Sequence, residues 1–169
     1  MFTLYEIYDL AVQIEKNGEK FFREAVKKVS DPSLKTLFQW LADQEVRHAN
    51  WFAQKKASLK VGGGTLALNE MSSQMLQDIL GDQRFSLGDI DIDQIDTLED
   101  LLSIAMEFEE DTIIFFGMLK SLIDDDEIIE GMDEIIEEEK RHIQVLQDYR
   151  KTGESGLTGI KGRPDGGKN

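Results

Sequence analysis

Apolar residues recur along this chain at alternating steps of four and three, the spacing of an amphipathic α-helix. Leu4, Tyr8, Ala11, Gly18, Phe22, Ala25 and Val29 form the first stripe, and Glu15 interrupts it. Leu34, Leu37, Leu41, Phe52 and Leu59 form a second, with Glu45 and His48 in line. A third holds Leu98, Leu101, Ala105, Phe108, Phe115, Phe116 and Leu119, with Glu109 beside Phe108. The fourth runs from near Glu127 through Ile135, Ile136 and Leu146 to near Tyr149, and carries Glu139 and His142. Four long helices are therefore predicted, each with charged or imidazole side chains on its core-facing stripe.

Local signals place the breaks between them. Asp31-Pro32 predicts an N-cap with proline in the first helical position. Thr3 with Glu6, and Thr97 with Asp100, predict capping boxes. The run Asp124-Asp125-Asp126-Glu127 predicts a turn and a helix N-terminus, where negative charge is favourable. Short connections make each neighbouring pair antiparallel. Residues 60–96 form a long crossover, which makes the second and third helices parallel. Within it a short helix from Glu70 to Leu80, ended by Gly81, is predicted. Residues 151–169 read as a separate Gly-rich tail after a bundle over 1–150.

The two hairpins are copies. Thr3, Leu4, Ala11, Glu15, Phe21, Phe22, Asp31, Glu45, Arg47 and His48 each recur 94 residues later. Ten identities in fifty aligned positions exceed the roughly three expected by composition, so the chain carries an internal duplication. The fold predicted is all-α: a four-helix bundle of two duplicated antiparallel hairpins joined by a long crossover.

The duplication also selects the chemistry. Glu15, Glu45 and His48 become Glu109, Glu139 and His142, and these are the only two histidines of the chain. Glu15 and Glu45 lie equally far from the turn near Ser30, at roughly 22 Å from it at 1.5 Å per residue. Glu109 and Glu139 lie equally about Asp124, so all six side chains can meet at one level. Unpartnered carboxylates in a core would cost several kcal/mol each unless protonated, paired or bound to metal. Four carboxylates and two imidazoles suit two close divalent ions, the carboxylates offsetting charge and the imidazoles filling remaining positions. One Glu from each of two helices and Glu-x-x-His from each of the others is the ligand pattern of di-iron four-helix proteins.

Composition narrows the alternatives. The net charge of −15 argues against nucleic acid and against an anionic membrane surface. With no cysteine, disulfides, zinc ribbons, iron–sulfur clusters and thiol chemistry are excluded. No signal peptide or membrane span is legible, so a cytoplasmic protein is expected. Asp89-x-Asp91-x-Asp93 lacks the glycine and glutamate of a calcium loop and reads as a solvated segment. Trp40 and Trp51 read as packing residues, and nothing in the sequence places Tyr5, Tyr8 or Tyr149 near the ligands.

The segments Ile14–Phe22 and Leu41–His48, the repeat of the first in Glu109 to Phe116, and Glu139-Lys140-Arg141-His142 resemble the four helix motifs of the rubrerythrin branch of the ferritin-like superfamily. The resemblance covers residues 1–150. It implies a non-haem di-iron centre, with manganese or zinc as substitutes, reacting with oxygen or hydrogen peroxide. Glu15 and Glu109 would be terminal ligands, Glu45 and Glu139 bridging and catalytic, and His48 and His142 one per iron. It also implies a homodimer or larger assembly. Two departures matter: no cysteine-ligated rubredoxin domain is present, so a peroxidase would need an external electron donor. The additional glutamate that rubrerythrins carry three residues after the third-helix ligand is Thr112 here. Residues 155–162 are similar to the short peptides that load ferritin-like proteins into encapsulin shells.

The function expected is Fe(II) oxidation by oxygen or peroxide, as a ferroxidase or a rubrerythrin-type peroxidase. Two other readings compete with it: an iron-sequestering cargo protein docked in a shell through its tail, and a di-iron hydroxylase of an organic substrate.

Overall fold

The computed structural model describes residues 3–59 and 90–153. Helix α1 spans Leu4–Lys28, α2 Pro32–Ser58, α3 Leu98–Lys120 and α4 Asp126–Thr152, with a single 3-10 turn at Ile92–Gln94 before α3. The predicted short helix over 70–80 and the tail segment 155–162 lie outside the described residues.

Each helix begins where its side chains can satisfy the free backbone amides. At α1 the Thr3 hydroxyl accepts from the Glu6 amide at 3.2 Å, while the Glu6 carboxylate accepts from the Thr3 amide at 2.8 Å. Asp31 caps α2 by accepting from the Ser33 amide at 3.1 Å, with Pro32 in the first turn. Thr97 caps α3 through the Asp100 amide at 3.0 Å. In both helices the threonine hydroxyl also donates to the carboxylate, at 2.9 Å in α1 and 2.7 Å in α3, but Asp100, one methylene shorter than Glu6, does not reach the Thr97 amide to complete the box. Asp125 caps α4 through the Ile128 amide at 3.1 Å. That helix ends at Gly153, whose φ of +69° is the left-handed conformation glycine adopts without strain.

Contacts between helix ends fix the topology. Tyr149 near the end of α4 donates its hydroxyl to Asp31 at the start of α2, and Arg150 reaches Glu99 at the start of α3 at 3.3 Å. Lys28 closes α1 onto the carbonyl of Ile92 at 2.6 Å, just before α3 begins. At the opposite end Lys55 of α2 pairs with Glu127 of α4 at 2.6 Å. Thus α1 and α2 are antiparallel, α3 and α4 are antiparallel, and α2 runs parallel to α3. The 27 residues of α2 put its end roughly 40 Å from the start of α3, the distance the crossover must cover.

The core is one continuous apolar column with a polar level inside it. On the side of the 29–31 turn, Phe22 stacks on Phe38 at 5.9 Å between centroids. Toward the other end, Phe52 packs against Tyr8 at 6.3 Å and Phe116 at 4.8 Å. Between these aromatic layers lie Glu15, Glu45, His48, Glu109, Glu139 and His142. None of the described helices is long and apolar enough to cross a membrane.

Candidate metal centre

All six side chains singled out by the duplication converge. Glu15, Glu45, Glu109 and Glu139 are fully buried, and the two histidines are at most 2% exposed. They form two overlapping groups whose donor atoms all lie within 4.8 Å of one another. One group is Glu15, Glu45, Glu139 and His48; the other is Glu45, Glu109, Glu139 and His142. Glu45 and Glu139 belong to both, so they occupy the middle of the site.

Distances repeat the twofold plan. His48 Nδ1 lies 2.8 Å from Glu139 Oε1 and 3.6 Å from Glu15 Oε2. His142 Nδ1 lies 2.8 Å from Glu139 Oε2, 3.3 Å from Glu109 Oε1 and 3.4 Å from Glu45 Oε1. The two imidazoles are nearly parallel, at 19° with centroids 5.7 Å apart. Yet among the described residues both Nδ1 atoms and all eight carboxylate oxygens lack a properly directed hydrogen-bond partner. Buried polar atoms in native proteins rarely go unsatisfied, least of all in such number. A donor set of oxygens and imidazole nitrogens left open toward one another fits a pair of cations.

Electrostatics agree with that fit. Burial pushes the Glu15 and Glu109 carboxyls well above the usual range, and the charges of Glu45 and Glu139 push them further. For Glu139 burial acts the same way, but the two histidines overcome it and hold its carboxyl below the usual range. Burial works to lower His48 and His142, and their carboxylate neighbours, Glu139 foremost, win and raise both well above the ordinary imidazole value. Without cations, these directions favour protons retained on Glu15, Glu109 and the two imidazoles.

Other residues make room for the cluster. Gly18, one turn beyond Glu15, lies so close to the site that a Cβ there would sit 2.8 Å from both Glu45 Oε2 and Phe108 Cε1. Its counterpart Thr112 is also buried, and its hydroxyl donates to the Phe108 carbonyl at 2.9 Å. Position 112 therefore presents no carboxylate to the site. Trp40 stands edge-on to His142 at 5.4 Å, so this packing residue touches a candidate ligand. Trp51 lines a groove of about 320 Å³ between α2 and α4 that reaches His48, Glu134 and Glu138.

Three residues near the site gave no sequence signal of their own: Gly18, Trp40 and Glu138. Glu138 Oε2 is 2.7 Å from His48 Nε2, and this bond holds its carboxyl below the usual range. The tyrosines are elsewhere. Tyr149 reaches Asp31, and exposed Tyr5 lies under the Lys56 ammonium at 4.0 Å. Tyr8 packs on Phe52, its buried hydroxyl pushed up to about 12 by desolvation and then by Asp125. Asp91 of the acidic segment caps the 3-10 turn through the Asp93 amide at 3.0 Å.

Comparison with known proteins agrees with this architecture. A crystal structure from Thermotoga maritima, described as a ferritin-like diiron-carboxylate protein, superposes with a TM-score of 0.65. The match covers 90% of this chain and 97% of that one at 24% identity, a likeness of fold. Comparison with curated proteins finds no match. The rubrerythrin family model matches residues 6–150, which includes all four helices except their outermost residues and all six clustered side chains. The chain belongs to the rubrerythrin family.

Proposed function

We propose that this protein is a di-iron oxidoreductase that oxidises Fe(II) with dioxygen or hydrogen peroxide. One observation carries the reading: four fully buried carboxylates and two buried imidazoles face one another with their donor atoms unpartnered. Glu15, Glu45, His48 and Glu139 would hold one ion, and Glu45, Glu109, Glu139 and His142 the other, with Glu45 and Glu139 common to both groups. Four carboxylate charges balance two divalent cations, which removes the cost of burying either set alone. A bound pair of iron ions would supply two adjacent one-electron reductants for a two-electron oxidant.

The chain's own residues do the rest. The aromatic layers built on Phe22, Phe38, Phe52 and Phe116 exclude water from above and below. Gly18 keeps the space into which the Glu45 carboxylate projects. Glu15, Glu109 and both histidines would have to give up their protons to act as ligands. Thr112 stands where the family resemblance implies a further carboxylate, and its hydroxyl is held by the Phe108 carbonyl, which weighs against peroxidase turnover that depends on that ligand. Manganese and zinc are compatible with the same donor set.

Anaerobic loading with Fe(II), followed by mixing with oxygen or peroxide in parallel, tests the reading. Two irons per chain and repeated oxygen-driven turnover on added Fe(II) are expected. Replacing Glu45 or Glu139 by Ala should abolish oxidation with either oxidant. Wild-type turnover in either variant rules the assignment out.

A further inference from the structure

The relation that duplicates all six clustered side chains fails one position away from them. Glu138 precedes Glu139, but Gln44 precedes Glu45. Glu138 on α4 reaches across to α2, where its Oε2 accepts from His48 Nε2 at 2.7 Å. That bond turns His48 Nδ1 inward, toward Glu139. Arg47 Nη2 lies 3.6 Å from the other Glu138 oxygen and steadies it. On the opposite side nothing equivalent forms among the described residues. Gln44 accepts instead from Arg47 Nη1 at 2.6 Å, and His142 Nε2 is buried beside the edge-on Trp40 ring with no hydrogen-bond partner among the described residues.

This difference has a chemical consequence. An imidazole that donates its remote N–H to a carboxylate is fixed in one tautomer and orientation, and its inward nitrogen becomes a more basic ligand. An imidazole whose remote N–H is buried and unpaired has neither advantage, and it bears the desolvation of that group as well. We propose that Glu138 is a positioning residue that makes the two metal positions unequal, so that the first and tighter divalent ion binds at the His48 position. This rests on the dinuclear reading of the site.

Titration of the metal-free protein with Mn(II), followed by electron paramagnetic resonance, tests it without reference to activity. Wild type should take up one isolated Mn(II) before the second adds and spin-couples to it. Glu138→Ala should weaken the first step by roughly 10- to 100-fold and bring the two steps together. Glu138→Gln keeps an acceptor oxygen and should restore part of the loss, which a merely structural effect on the bundle would not track. Gln44→Glu should tighten the second step. Circular dichroism of each metal-free variant checks that it folds; should the alanine variant not fold, the glutamine variant carries the test with a smaller expected weakening. Two equal steps in wild type, or an unchanged first step in folded Glu138 variants, overturn the proposal while leaving the dinuclear site standing. No Mn(II) and no Fe(II) uptake by wild type would overturn both.

Discussion

The two hairpins of this bundle hold the same side chains at their centre and different ones around it. Glu15, Glu45 and His48 are matched by Glu109, Glu139 and His142, and every one is buried. The caps at Asp31 and Asp125 are matched too. Apolar positions repeat in burial while changing in identity, as in Ile14 with Phe108 and Ala25 with Leu119. Departures from the repeat include the ring just outside the donor atoms. Gly18 faces Thr112 in the alignment, Gln44 faces Glu138, and Trp40 faces Glu134. Volume is also divided differently: Trp51 lies against Gly131, while the matching positions are Val145 and Leu37, both buried. A duplicated core tolerates exchange of packing residues as long as volume is kept. The six side chains whose donor atoms face one another are unchanged between the halves.

The most severe way to break the comparison is to copy one half onto the other at its tightest point. Gly18→Thr installs the second-half residue where a Cβ already meets Glu45 Oε2 and Phe108 Cε1 at 2.8 Å. We expect loss of metal uptake and a destabilisation of about 3 kcal/mol in chemical denaturation, the upper part of the overpacking range. The reverse change, Thr112→Gly, should retain metal and cost about 1 kcal/mol, a few tenths through helix propensity and the rest through the space the buried side chain leaves. Equal effects from both changes would contradict the asymmetry.

Next in size is the packing of Trp51 on Gly131. A Cβ at 131 would sit 2.4 Å from Trp51 Cζ2, so Gly131→Ala should cost about 2 kcal/mol. Combining it with Trp51→Val, the second-half residue, should recover most of that loss. Additive losses in the double-mutant cycle would show that the two residues do not share one space.

The metal-free protein should respond to pH in a direction its centre dictates. Glu15, Glu109, His48 and His142 all have raised values in the folded state. Each stabilises the fold fully below its unfolded value and loses that contribution as pH rises through the folded value. Glu139 has the opposite sign, but its contribution is lost only in strong acid, as pH falls through its depressed folded value. Melting temperature of the metal-free protein should therefore fall as pH rises from the carboxylate range through neutrality. Metal affinity should climb over the same window, because binding displaces those protons. A flat melting profile would mean that the centre is not protonated as described.

The smallest effect expected is at the helix starts. Asp100→Glu gives α3 the side chain that completes the capping box of α1 and should raise the melting temperature by about 1 °C.

Much of the fold was legible because helices write their periodicity into every turn. The stripes built on Leu4 to Val29 and Leu98 to Leu119 mark the helices, and Asp31-Pro32 marks the first break. The six clustered positions were legible for a different reason. Glu109 and Glu139 sit among Glu107, Glu110, Glu137 and Glu138, and only the 94-residue offset distinguishes them. That offset is blind to whatever breaks the repeat. Nothing in the sequence separates Glu138 from its acidic neighbours, because its partner His48 lies 90 residues away on another helix. Gly18 matched the apolar stripe without revealing that its missing side chain makes room for Glu45. Trp40 read as packing, which it is, yet the surface it packs on belongs to His142.

The central claim is that two metal ions lie among these six side chains. Crystals of iron-loaded protein, with an anomalous difference map recorded at the iron edge, test it directly. The account predicts two peaks per chain, one beside His48 and Glu15 and one beside His142 and Glu109, with Glu45 and Glu139 between them. A map without iron at this level, or with iron held by other residues, would contradict it.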